Sequence, residues 1–155
     1  MAWTNSKVFT IAIENMLENI AAMDLDSDTF KAALFDNTIT PSQTVSAANS
    51  AYGAGVWASG GVADAVSWPA AGIALSSVAS SFTGATYTLD AADTTSNDAT
   101  TDLTNVYGCL VYDDTLTTPV ADQGLVYIYL GGANSVVSGV FTLVYHSAGL
   151  ITISA

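Results

Sequence analysis

Apolar residues in this chain come in short blocks separated by turn-forming residues, and the blocks are densest in the last third. Asn105-Val-Tyr-Gly-Cys-Leu-Val-Tyr112 runs into Asp113-Asp114. Gly124-Leu-Val-Tyr-Ile-Tyr-Leu130 stops at Gly131-Gly132-Ala-Asn134, Val136 to Tyr145 stops at Ser147-Ala-Gly149, and Leu150-Ile-Thr-Ile-Ser154 follows. Blocks rich in β-branched and aromatic residues and bounded by Gly, Asn, Asp or Ser predict four successive strands in a meander. Strand period two predicts their burial. Leu125, Tyr127 and Tyr129 share one face of the second strand, with Val126, Ile128 and Leu130 on the other. A sheet with one wet face alternates apolar and polar, whereas this strand is apolar on both. The first strand behaves alike, with Val106, Leu110 and Tyr112 opposite Tyr107, Cys109 and Val111. Either the N-terminal segments cover the second face, or another protein chain covers part of it. In the third block Val137, Phe141, Leu143 and Tyr145 face one way, and Ser138, Thr142 and His146 share the other with Val140 and Val144.

Helical spacing occurs once. Phe9, Ile13, Met16, Leu17 and Ile20 recur along one face of a helix over 6–23, with Asn5 or Ser6 as its cap. That face is expected to pack on the sheet, and Asp24-Leu-Asp-Ser-Asp28 to end the helix. Thr29 to Phe35 predicts a strand. Residues 42–68 read as a long loop of small polar residues carrying Tyr52, Val56, Trp57 and Trp68. A strand starts near Gly72, and Ser81 to Leu89 predicts another with a bulge at Gly84. Asp90 to Thr104, acidic and Thr-rich, reads as a solvated loop. No repeat and no linker divides the chain. The expectation is a mainly β protein: a single antiparallel β-sandwich, jelly-roll or Ig-like, with one N-terminal amphipathic helix. It would form one domain over 1–155, with the sandwich over 29–155.

Composition narrows the function classes. Of 155 residues, half are hydrophobic and only 10% are charged, well below the roughly one quarter usual in soluble domains. Fourteen acids face two lysines, Lys7 and Lys31, for a net charge of −12. Nucleic-acid binding needs cationic side chains to displace counterions, and anionic membrane surfaces ask for the same, so neither is an expected partner. The single cysteine, Cys109, sits among apolar neighbours and is expected to be buried. The first residues lack the basic and apolar regions of a signal peptide, and no apolar run reaches the roughly 18 residues of a membrane span.

Candidate chemistry is thin. Asp24, Asp26 and Asp28 open like a calcium-binding loop, but such a loop needs Gly at its sixth position and Glu at its twelfth, where Thr29 and Phe35 stand. His146 is the only histidine, and no Gly-x-Ser-x-Gly elbow surrounds a serine. The glycine pairs at 53–55 and 60–61 neither follow a strand nor open a helix, so they make no phosphate loop. Asp113 and Asp114, adjacent at a turn, are expected to point apart into water. The residues therefore predict no catalytic, cofactor-binding or metal-binding site, and a chain that is not an enzyme.

Several segments, taken in order, resemble a family of small virion structural proteins of tailed bacteriophages. They are Phe30-Lys-Ala-Ala-Leu-Phe-Asp-Asn-Thr-Ile-Thr-Pro41, Ala51-Tyr-Gly-Ala-Gly-Val-Trp57, Gly61-Val, Gly108-Cys-Leu-Val-Tyr-Asp-Asp114, Tyr129-Leu-Gly-Gly132 and Ser138-Gly-Val-Phe-Thr142. The resemblance implies a capsid decoration (cement) or minor capsid protein on the head exterior, made in the host cytoplasm. Its implied partners are the major capsid protein and further copies of itself. A tail tube or minor tail protein is the alternative within that class. A β-sandwich binding host-surface glycan through Trp57, Trp68 and loop tyrosines is the alternative outside it. The expected interface residues are Tyr52, Val56, Trp57, Trp68, Tyr127 and Tyr129, because large aromatics set among small residues make good interface anchors.

Overall fold

The computed structural model describes residues 3–154, so the readings that touch Met1, Ala2 and Ala155 lie outside it. In chain order the strands are β1 (Lys7–Val8), β2 (Phe30–Phe35), β3 (Gly61–Val62), β4 (Ile73–Ala74), β5 (Ala79–Thr83), β6 (Thr86–Asp90), β7 (Thr94–Thr95), β8 (Thr101–Asp113), β9 (Gly124–Gly139), β10 (Thr142–Leu143) and β11 (Ile151–Ser154). The helices are α1 (Thr10–Leu17), α2 (Ala47–Ser50) and a 3-10 turn at Gly55–Ala58. The main sheet runs β1-β9-β8-β2-β3, with β4 also on β2; β11-β6-β5 and β10-β7 form two smaller antiparallel sheets. The protein is mainly β, antiparallel and sandwich-like, and it is not a closed barrel.

Directly paired residues of antiparallel strands share a face. Ala33, Leu110 and Tyr127 therefore lie on one face of the main sheet, and Leu34, Cys109 and Ile128 on the other. The chain itself covers the first and part of the second. Over the first, Trp3, Phe9 and Trp57 surround Tyr127 at ring-centroid distances of 6.1, 5.5 and 6.1 Å. Trp3 lies so close above Gly108 that a Cβ there would overlap its ring. Over the second, Trp68 meets Phe141 edge-on at 5.6 Å, and the Val144–Leu150 segment runs opposite Val126, Ile128 and Leu130. Leu125, Val126 and Tyr127 are buried as a result. Cys109 is fully buried, as expected, and desolvation pushes its thiol up to about 12.

Several boundaries differ from the sequence expectation. The helix covers Thr10–Leu17, not 6–23, because Lys7 and Val8 are drawn into pairing with Tyr127 and Val126. No side chain caps it, neither Asn5 nor Ser6; Phe9 occupies the cap position. Asn19, at φ 55, turns the chain left-handed, with Asn19 N–H donating to Met16 O and Ile20 N–H to Asn15 O. That is a Schellman stop, several residues before Asp24. The shortened helix buries Ala12 and Asn15, while Leu17 is 82% exposed and Ile20 50%. The expected packing stripe is therefore wrong at its C-terminal end.

The C-terminal meander is also corrected: only β8 and β9 pair with each other, while β10 pairs with β7 and β11 with β6. β8 begins at Thr101 inside the expected solvated loop, and Thr94, Ser96, Thr101 and Leu103 are buried. β9 does not stop at Gly131-Gly132 but runs on to Gly139. Between the pairs Gly108↔Tyr129 and Val106↔Asn134, Tyr107 alone faces Leu130 to Ala133. The excess is absorbed as a bulge, with positive φ at both glycines. The Asn134 side-chain amide donates across it to Val106 O (3.3 Å) and Gly132 O (2.9 Å). The third expected strand breaks at Val140–Phe141, so Val137, at 79% exposed, does not share the buried face of Phe141 and Leu143. Gly84 is no bulge: at φ 61 it turns β5 into β6, with Thr83 paired to Thr86. The 42–68 segment is not featureless either, since it carries α2, the 3-10 turn and β3.

Candidate interaction surfaces

The six expected interface residues divide by depth. Trp57, Trp68 and Tyr127 are 2%, 0% and 5% exposed and present nothing to a partner. Trp57 sits on the 3-10 turn as the centre of an aromatic cluster, 5.0 Å from Phe35, 5.9 Å from Trp3 and 6.1 Å from Phe9. Trp68 is held by its indole N–H, which donates to Ala32 O at 3.1 Å. A two-way backbone pairing with Asp64 holds its main chain. The Asp64 carboxylate in turn accepts the N–H groups of Val66, Ser67 and Asp102, and these bonds, Asp102 first, hold its pKa low. Tyr52 and Val56 are half-buried; Tyr52 stacks flat on Tyr112 at 4.9 Å. Tyr129 is half-buried, and its N–H donates to Ser6 Oγ. The glycan reading thus loses both of its tryptophans to the core.

The turn after β8 is not the wet pair the sequence suggests. Asp114 points outward and pairs with Lys31 at 2.8 Å. Asp113 has no exposed surface. Its Oδ1 accepts from the N–H groups of Thr115 (2.9 Å) and Leu116 (3.0 Å), while Oδ2 has no hydrogen-bond partner among the described residues. Burial, reinforced by the nearby Asp28 carboxylate, pushes its pKa up to about 6 against those two bonds. The Asp24–Asp28 carboxylates are engaged in their own turn, Asp24 accepting from Asp26 N–H and Asp28 from Asp24 N–H. Among the described residues no group of three or more His, Cys, Asp or Glu side chains is placed to hold a metal ion. His146 Nδ1 accepts the Ala148 N–H at 3.0 Å and so closes its own turn.

The large apolar side chains left at the surface lie elsewhere. In the β11-β6-β5 sheet, Phe82, Tyr87 and Ile153 pair in one row and Ser80, Leu89 and Ile151 in the next, all on one face. Leu89 and Ile151 are buried in the core, Tyr87 is half-buried, and Phe82 and Ile153 are 78% and 48% exposed. The sheet projects past the core and carries an apolar row out with it. A groove of about 610 Å³ lies beside that row, walled by Met16, Met23, Leu25, Ser80 and Tyr87 and rimmed by Asp24 and Asp26. Sequence reasoning names Met16 only for the packing stripe and Asp24 and Asp26 only for the calcium-like opening, and it does not single out Phe82, Tyr87 or Ile153. One signal for them exists: no Asp, Glu, Lys or Arg occurs between Asp64 and Asp90, or from Gln123 through Ser154. No protein-family model, curated protein or solved structure matches the chain.

Proposed function

We propose that this chain is a non-enzymatic structural subunit of a phage virion, a capsid decoration or minor capsid protein that binds and stabilises the assembled head shell. The observation that carries the reading is the small β11-β6-β5 sheet, whose apolar row runs from half-buried Tyr87 to exposed Phe82 and Ile153 with no charged residue in β5 or β11. Exposed apolar groups gathered in one place mark association surfaces, whereas single scattered ones are ordinary. Burying such surface contributes roughly 25 cal/mol per Å² before the costs of association, so a modest contact repeated over a lattice adds up. The major capsid protein and further copies of this chain are the partners this reading names. The order of the segments from Phe30 to Thr142 that resemble virion proteins supports the same class.

The test is to locate the chain on purified particles with a labelled antibody and to add it back to particles stripped of it. Label over the head, with restored resistance of the head to heat or chelator, is the expected result. Label confined to the tail would move the protein there. Absence from every particle would overturn the reading.

A further inference from the structure

The β5 strand is an edge with none of the usual protections. Sheet edges are blunted by Lys, Pro, bulges or a covering segment, because a free row of backbone N–H and C=O groups invites pairing. Ala79-Ser-Ser-Phe-Thr83 has no charge, no proline and no register shift against β6, and all five residues are exposed. We infer that β5 pairs antiparallel with β5 of a second copy of this chain about a two-fold axis at Ser81, each Phe82 entering the other copy's groove between Ser80 and Met16. The inference deepens the assembly reading above and rests on it for the claim that copies meet.

Symmetry sets the register. With Ser81 opposite its own mate, Ala79 faces Thr83 and Ser80 faces Phe82 of the second copy. Opposed residues of an antiparallel pair share a face, so each incoming Phe82 stands over a serine. Ser80 and Tyr87 line the groove together with Met16, Met23 and Leu25. The groove is open to solvent and gives an incoming phenyl ring the side chains of Met16, Met23, Leu25 and Tyr87 to lie against. The exposed row Ile153-Tyr87-Phe82 of one copy then continues into the Ser80-Leu89-Ile151 row of the other. A six-stranded sheet with one apolar face results.

Charge selects a second copy as the occupant. Two chains of net charge −12 meet at least cost where the approaching strand is uncharged, and the groove that holds Asp24 and Asp26 receives only the uncharged β5 of the other copy. β5 and β11 carry no acid, and β6 carries only Asp90 at its end, beside Ala79. In the register above, the two Asp90 residues stand at opposite corners of the paired strands. Four residues along the strand and three strand spacings across put them about 19 Å apart, beyond the Debye length of about 8 Å at physiological salt.

The experiment uses the full chain in solution. Sedimentation equilibrium should give about twice the 15.9 kDa of one chain. Phe82→Ser should give a monomer with an unchanged circular dichroism spectrum, since Phe82 is 78% exposed, and with a melting temperature that no longer rises with protein concentration as the dimer's does. Ser81→Cys should be joined into a covalent dimer by a short bismaleimide under native conditions, with buried Cys109 unreacted, and adding Phe82→Ser should abolish the product. A monomeric parent chain, a dimer indifferent to Phe82→Ser, or a dimer that Ser81→Cys cannot cross-link would each overturn the inference. Particle occupancy of Phe82→Ser separates the two readings. If the parent chain is monomeric, self-pairing is defeated either way: occupancy retained by Phe82→Ser leaves shell binding standing elsewhere on the molecule, whereas occupancy lost by Phe82→Ser assigns the edge to the shell protein.

Discussion

At the scale of single residues, Asp113 makes the sharpest demand. Its folded pKa lies above its ordinary 3.8, so the folded state holds a proton that the unfolded chain releases. Stability from this group is fully present below about pH 4 and is lost as pH rises through about 6. A tenfold difference in proton affinity between the two states is worth about 1.4 kcal/mol. Asp113→Asn keeps the acceptor for Thr115 and Leu116 and removes the charge. Urea unfolding should therefore find the variant more stable at pH 7.5, on the order of 1–2 kcal/mol. Between pH 4 and 6 its stability should also vary less steeply than that of the parent chain; equal slopes would refute the burial argument. A second pair of substitutions separates depth from residue type. Trp57→Ala should cost about 3–5 kcal/mol and Leu17→Ala only a few tenths, measured as denaturation midpoints. Nothing in the order of residues ranks the two. Trp57 lies in a stretch of Gly, Ala and Ser and looks like a surface anchor, yet Trp3, Phe9, Phe35 and Tyr127 converge on it in three dimensions. Leu17 sits in a helical stripe, but that stripe presumes a helix longer than the one formed.

At the scale of elements, the β8–β9 hairpin shows which punctuation can be read from sequence and which cannot. Glycine and asparagine supply left-handed backbone, and a turn and a bulge both need it. Gly84 makes a true turn because the residues flanking it pair with each other. Gly131 and Gly132 make a bulge because β8 continues past them and offers the Val106 carbonyl to Asn134. Local sequence is the same kind in both places, and the partner strand decides. The register shifts farther along the hairpin are closed similarly, Asn105 N–H donating to Ser135 Oγ and Ser138 N–H to Asp102 Oδ1. Thus the acidic, Thr-rich run ahead of Asn105, which reads as solvated loop, contains a carboxylate that stitches the hairpin. Asn134→Ala should free Val106 O and Gly132 O and cost about 1–2 kcal/mol. Amide exchange should quicken at Tyr107 and Leu130 to Asn134 and stay slow at Leu110 and Val126. Uniform quickening along the hairpin would mean that the bulge is not a separate unit.

At the scale of the whole molecule, the low charge count acquires a location. Fourteen acids and two lysines are few for this length, and they are absent from the segments that build β5 and β11. That absence is visible in the sequence; that the two segments join one sheet, and that the sheet projects, is not, because β11 reaches β6 only through long-range pairing. The arrangement makes self-association a contest between two terms of different range. Net like charge repels copies over a distance set by the salt, while apolar burial at β5 and the Phe82 groove acts only on contact. Raising NaCl from about 0.02 to about 0.5 M shortens the Debye length from about 20 Å to about 4 Å. It should remove most of the repulsion and leave the contact term in place. The dimer dissociation constant measured by sedimentation should therefore fall several-fold across that range. An interface built on Lys7 or Lys31 against acids would weaken over the same range, because salt screens attraction as readily as repulsion. Phe82→Ser should remain a monomer at both salt concentrations, since screening alone supplies no surface on which to associate.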